Sequence, residues 1–257
     1  MAGSRNKIFF ASDFHLGSHL DRGNHDREKK VVRWLDSIAA DCSELYLLGD
    51  VFDFWFEYRQ VVPKGFTRLL GTLARMSDSG ISINLFTGNH DVWMFDYFPK
   101  EIGAKVFDRP QIIEKHGKLL MIGHGDGLGP GDRGYKLLKR VFTNRLAQQM
   151  FSLVPPAIGV SLARYFSRKS RESTGHADDA YLGDDKEFLV QYCHQVLAEK
   201  PIDYFIFGHR HLFIDKKLSD QARYINLGEW FNGCHYAVLD ESGLTAYQYK
   251  KSGDFQN

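Results

Sequence analysis

Cysteine is scarce in this 257-residue chain: Cys42, Cys193 and Cys234 stand far apart, with no C-x-x-C. That excludes a zinc knuckle and gives no disulfide framework, so a reducing compartment fits. Long apolar runs are missing too, and none approaches the ~20 residues of a membrane span. No apolar signal core precedes the first strand, because Met1 to Lys7 lead straight into it. A cytoplasmic protein is expected, at most peripheral on the inner face of the cell membrane. Net charge is nearly absent at +1, so global charge names no partner. Neither an internal repeat nor a low-complexity tract is visible. With 43% hydrophobic and 25% charged residues the composition is that of a soluble globular protein. One domain over residues 1–257 is expected, with ample length for a core.

What is present is a repeated pattern. Five short apolar runs each stop at a residue that can hold a metal ion. Lys7 to Ala11 stops at Asp13-Phe14-His15, and Leu45 to Leu48 stops at Gly49-Asp50. Ile81 to Phe86 leads to Gly88-Asn89-His90-Asp91, and Leu119 to Ile122 to Gly123-His124-Gly125-Asp126. Tyr204 to Phe207 leads to Gly208-His209-Arg210-His211. Short apolar runs bounded by glycine read as buried strands. Ligands at successive strand ends converge on one edge of a sheet. Between the runs, helical spacing covers Arg27 to Ala40 and Phe66 to Ser77. Val106 to Ile113 and Lys118 to Ile122 are expected to pair across His116-Gly117. Tyr224 to Leu227, Tyr236 to Leu239 and Leu244 to Tyr247 read as closing antiparallel strands. Alternating strands and helices argue an α/β class.

One stretch differs. Arg133 to Arg171 carries nine basic residues and no acidic one, leaving −8 for the rest of a chain whose total is +1. It is also rich in Leu, Val and Phe, and Pro155-Pro156 is expected to split it into two helical segments. A basic amphipathic helix pair suits anionic lipid, a membrane face or a phosphorylated ligand. Equally, it suits a solvated basic face over an apolar stripe turned to the core.

Histidine and aspartate with an asparagine, and no cysteine, suit manganese first, with iron or zinc as alternatives. Taken singly, each motif has a plainer reading as a turn, a surface pair or a core histidine. Taken jointly, each after an apolar run, chance explains them poorly. His19, His25, His116, His176, His194 and His235 lack that context and read as structural. Four clusters are more than one ion needs. Two ions sharing a carboxylate are the economical solution, and such pairs serve in-line phosphoryl displacement.

Together, Asp13-x-His15, Gly49-Asp50-x-x-Asp53, Gly88-Asn89-His90-Asp91, Gly123-His124 and Gly208-His209-x-His211 resemble the five-block signature of the calcineurin-like metallophosphoesterases. The resemblance implies a two-sheet β-sandwich flanked by helices in four layers. It implies one divalent ion on Asp13, His15, Asp50 and His211, and a second on Asp50, Asn89, His124 and His209, with Asp50 bridging. It also points to Asp50 and His90 as catalytic.

A narrower resemblance lies in His124-Gly125-Asp126-Gly127-Leu128, Asp132-x-x-Tyr135 and the basic stretch after them. These are similar to the UDP-2,3-diacylglucosamine hydrolases of lipid A synthesis. That family cleaves a pyrophosphate to give UMP and a diacylated sugar 1-phosphate, and a helical cap inserted at about 130–180 holds the acyl chains. Asp126, Asp132, Arg133, Tyr135, Lys136, Arg140 and Arg168 are the candidate substrate-binding residues. This chain carries His90 where well-known members carry arginine. The expected partners are a nucleotide-linked lipid substrate and a peripheral membrane contact, with no nucleic acid. A general phosphoesterase, or a non-catalytic module on the same fold, is the alternative.

Overall fold

A computed structural model describes residues 5–18, 25–131, 133–162, 165, 181 and 183–250. Strands β1 (Lys7–Ala11), β2 (Cys42–Leu48), β3 (Ser82–Phe86) and β4 (Lys105–Phe107) run parallel in that order. The hairpin β10 (His235–Asp240) and β11 (Gly243–Gln248) adds antiparallel to β1 and completes a six-stranded sheet. The second sheet holds β5 (Gln111–Lys115), β6 (Lys118–Ile122), β7 (Tyr204–Phe207), β8 (Phe213–Lys217) and β9 (Arg223–Leu227), in the order β5-β6-β7-β9-β8.

Strand alternation sorts the apolar side chains into layers. Along β1, Ile8 and Phe10 point between the sheets, joining Leu48, Leu120, Ile122, Ile206 and Ile225. Phe9 and Ala11 point the other way, toward helices α1 (Asp26–Ile38) and α2 (Thr67–Asp78). The outer face of the second sheet buries Phe205, Phe207 and Tyr224 against Leu189, Val190 and Cys193 of α6 (Phe188–Leu197). Strands covered on both faces need unbroken apolar runs, as these have. The result is the expected four-layered α/β sandwich.

Several expected elements differ. The stretch from Val106 to Ile113 is two strands in two sheets: β4 lies beside β3, and β5 pairs with β6. Pro110 stands between them and has no N–H to donate to a ladder. β9 does not join the closing hairpin; it lies parallel to β7 and antiparallel to β8. β8 and α6 were not foreseen. The basic stretch breaks first at Asn144, which caps α4 (Arg145–Ser152) by accepting from the Leu146 and Ala147 N–H groups. It follows α3 (Arg133–Phe142), and a further helix, α5, runs over 156–162.

These helices touch the body through a few aromatic rings and through polar contacts of α3 with Asp126 and Gly129. Trp93 stacks on Phe151 and meets Phe142 edge-on, and its indole N–H donates to the Phe142 carbonyl at 2.8 Å. Phe56 packs on Phe151 as well. Leu137, Leu138, Val141, Leu146 and Met150 of α3 and α4 face outward, Leu137 being 63% exposed. Among the described residues no helix is long and apolar enough to cross a membrane.

Candidate metal centre

The loops leaving β1, β2, β3, β6 and β7 meet at one edge shared by both sheets. Asp13, His15, Asp50 and His124 are buried; Asn89, His90, His209 and His211 are half-buried around them. Asp13, His15, Asp50 and His209 take left-handed backbone angles, with φ of 55°, 45°, 51° and 70°. Such angles cost of order 1–3 kcal/mol each and persist where the surroundings over-determine them. Here the Asp13 N–H donates to the Gly49 carbonyl, the His15 N–H to that of Asp50, and the Trp230 N–H to that of Asp13. The motif glycines make room across the site. A Cβ on Gly88 would run into the Asp50 carboxylate, one on Gly208 into Asp13, and one on Gly49 into the His124 imidazole.

Two donor groups result. In the first, Asp13, His15 and His211 offer ligand atoms within 4.8 Å of one another. His15 Nε2 and His211 Nε2 are 3.1 Å apart, and each is 3.8 Å from Asp13 Oδ1. In the second, Asn89 Oδ1 lies 3.1 Å from His124 Nε2 and 3.0 Å from His209 Nδ1. Asp50 Oδ2 stands between the groups, 3.7 Å from His15 Nε2 and 3.4 Å from His124 Nε2. The fit to divalent cations rests on Asp13 Oδ1, which is buried and accepts no hydrogen bond among the described residues. An unsatisfied buried carboxylate oxygen is costly, and a cation facing it and two imidazoles would remove that cost. The nitrogen and oxygen donors suit manganese, iron or zinc.

Charge is concentrated here. Burial pushes the Asp13 carboxyl up to about 6. Burial also works against Asp50, but His124 and His90 outweigh it and hold the carboxyl well below its usual range. Burial opposes a charge on His124, yet Asp50 prevails and raises it to about 10. Burial, then the Asp50 charge, raises Asp91 to about 7.

His90 sits at the rim. Its N–H donates to Asp50 Oδ1 at 2.9 Å, and its Nδ1 lies 3.2 Å from the Asp53 carbonyl oxygen. Asp53 Oδ1 is 3.6 Å from His15 Nδ1, a placement that orients a ligating imidazole. Asp91 accepts the N–H groups of Gly88, Asp50 and Phe52, tying the third block to the second. Neither aspartate was singled out beforehand, although both stand inside the quoted motifs. Arg27 and Phe231 were missed as well. The guanidinium of Arg27 lies 3.8 Å over the Phe231 ring, which stacks on His15. No sequence spacing announces that contact.

On the cap side, Asp126 is buried and accepts from Lys139 Nζ at 2.6 Å and from the Tyr135 hydroxyl. Lys139 was missed, although it stands four residues after Tyr135 on the same helix face. Lys139, second to His124 in effect, holds the Asp126 carboxyl down against burial. Lys136 donates to the Gly129 carbonyl, Arg133 opens α3, and Arg140 is exposed on it. Asp132 and Arg168 lie outside the described residues.

Residues 6–213 match the calcineurin-like phosphoesterase family. A UDP-2,3-diacylglucosamine hydrolase of Porphyromonas gingivalis is 40% identical over 252 residues, covering 93% of this chain and 96% of its own. One of Pseudomonas entomophila is 29% identical, covering 88% and 93%. One of Histophilus somni is 25% identical, covering 92% and 96%.

Proposed function

The chain belongs to the calcineurin-like phosphoesterase family, and from that premise we propose that it hydrolyses the pyrophosphate of UDP-2,3-diacylglucosamine, giving UMP and 2,3-diacylglucosamine 1-phosphate. The observation that carries a two-ion reading is Asp50 Oδ2, set between two groups of nitrogen and oxygen donors. The substrate is supported by relatives that match nearly end to end.

In this reading Asp13, His15, Asp50 and His211 would hold one ion, and Asp50, Asn89, His124 and His209 would hold the other. Manganese is the first choice. Bound there, such a pair would supply a more acidic water and stabilise phosphoryl charge for an in-line displacement. His90 serves the departing oxygen. Its Nδ1–H donates to the Asp53 carbonyl, so in the imidazolium form the Nε2–H is left to bring positive charge, or its proton, to the bridging oxygen as the bond to phosphorus breaks, leaving the neutral ring. Asp53 keeps His15 in one orientation, and Asp91 keeps the loops in register.

The cap supplies the lipid side. Leu137, Leu138, Val141, Leu146 and Met150 present apolar surface to solvent, which suits acyl chains. Each buried CH₂ contributes about 0.8 kcal/mol. Asp126, Tyr135, Lys136 and Arg140, with Asp132, Arg133 and Arg168, are assigned to the sugar and diphosphate. The absence of acid from Arg133 to Arg171 favours peripheral contact with an anionic leaflet.

The test is product analysis with manganese present, comparing UDP-2,3-diacylglucosamine with p-nitrophenyl phosphate, a cyclic nucleotide and a deacylated UDP-sugar. UMP released fastest from the diacyl compound supports the assignment. Equal or faster turnover of the others would leave a general phosphoesterase.

A further inference from the structure

We propose that Arg210 and Glu187 form a buried positioning pair that divides the two histidines of the fifth block between the two donor groups. The inference rests on the two-ion reading above and assigns to it residues that touch neither group. Arg210 lies between His209 and His211 in the chain. On one side of it, His209 Nδ1 stands 3.0 Å from Asn89 Oδ1, in the second donor group. On the other, His211 Nε2 stands 3.1 Å from His15 Nε2, in the first. A three-residue segment can serve both groups only if its middle residue turns away from them.

Arg210 does so. Its Nη2 meets Glu187 Oε1 at 3.0 Å, with the side chains 13% and 3% exposed. Two charges this far from water are tolerated when paired, and each strongly resists losing the other. Rotating the loop to bring Arg210 outward would break this ion pair inside the protein. The backbone is held independently. Asn226, fully buried on β9, donates from Nδ2 to the carbonyls of Arg210 and Leu212 at 2.5 and 2.8 Å. The N–H of His209 donates to Asp13 Oδ2 at 3.1 Å. These restraints keep His209 at its φ of 70°, which a non-glycine residue would otherwise leave. Glu187 immediately precedes α6, so the pair ties the histidine segment to the outer helix layer.

Partners that orient metal ligands from behind are typically worth about 10–100-fold in metal affinity. The experiment titrates manganese into the metal-free full chain by calorimetry and records each variant's melting temperature in chelator. Wild type should take up two ions. Glu187→Gln should bind manganese about 10–100-fold more weakly. The double variant Arg210→Met with Glu187→Leu removes both buried charges together, which often leaves stability unchanged. It should keep its melting temperature and still lose metal affinity. Arg210→Lys retains the charge without the planar fork and should show an intermediate loss. Wild-type affinity in the folded double variant would overturn the proposal, because a purely structural pair predicts that result. If the double variant fails to fold, wild-type affinity in Arg210→Lys would overturn it. No uptake by the wild type would overturn both this inference and the two-ion reading, whereas two tight ions with unaffected variants would overturn this inference alone.

Discussion

At the strand ends, Asp13, His15, Asp50 and His124 are buried, the first three held at unfavourable backbone angles, and their loops are braced by hydrogen bonds from neighbouring ones. Across the site, on α3 and α4, Leu137, Leu146 and Met150 are each more than 60% exposed. The same chain builds a floor whose ligand-bearing backbone is braced and a cover seated on a few aromatic rings and on the polar contacts of α3. Phosphoryl transfer needs charges placed to a fraction of an ångström, so the floor stores strain to achieve it. A flexible acyl chain needs only apolar area, which is non-directional. The floor is therefore expected to fail by losing chemistry, and the cover by losing affinity.

The sharpest way to break the comparison is at Asp50. Asp50→Ala should abolish turnover and deplete both ions by elemental analysis. The loss should exceed the ~10–100-fold of an outer-shell partner. Wild-type turnover with full metal occupancy would remove its bridging role. His90→Ala should lower kcat by about 10²–10⁴-fold with both ions retained, as expected for a positioned acid or charge. His90→Arg should retain more activity than alanine if positive charge is what matters. An unchanged kcat in the alanine variant would take His90 out of the mechanism.

The joint between the regions comes next. Trp93 packs on Phe56, Phe142 and Phe151, so Trp93→Ala should cost about 3–5 kcal/mol locally. Faster proteolysis between residues 133 and 162, with the body still protected, is the expected sign. Uniform protection would show that the cap is seated elsewhere. The smallest effect on stability belongs to Leu138→Ser, within about 0.5 kcal/mol for an exposed position. It should raise KM for the diacyl substrate and leave a deacylated one unaffected. Unfolding on that change would make the exposed face part of the core.

The apolar residues of the basic stretch, expected either to hold acyl chains or to turn to the core, do not behave alike. Phe142 and Phe151 join the aromatic cluster around Trp93, whereas Leu138 faces outward. Spacing along a helix tells which residues share a face, but not which face finds a partner.

The chain by itself determined the α/β class, the strand-end placement of Asp13, Asp50, Asn89, His124 and His209, and the helices over Asp26–Ile38 and Thr67–Asp78 to within a residue or two. Those features are local: apolar period, glycine punctuation and ligand type are written in consecutive residues. Only the tertiary structure decided that β4 and β5 belong to different sheets, that Asp50 Oδ2 lies between two donor groups, and that Asp91, Phe231 and Glu187 brace them. Apart from the β5–β6 hairpin, these depend on contacts between segments tens to hundreds of residues apart. The packing of the two sheets, rather than any spacing in the chain, sets which such contacts can form.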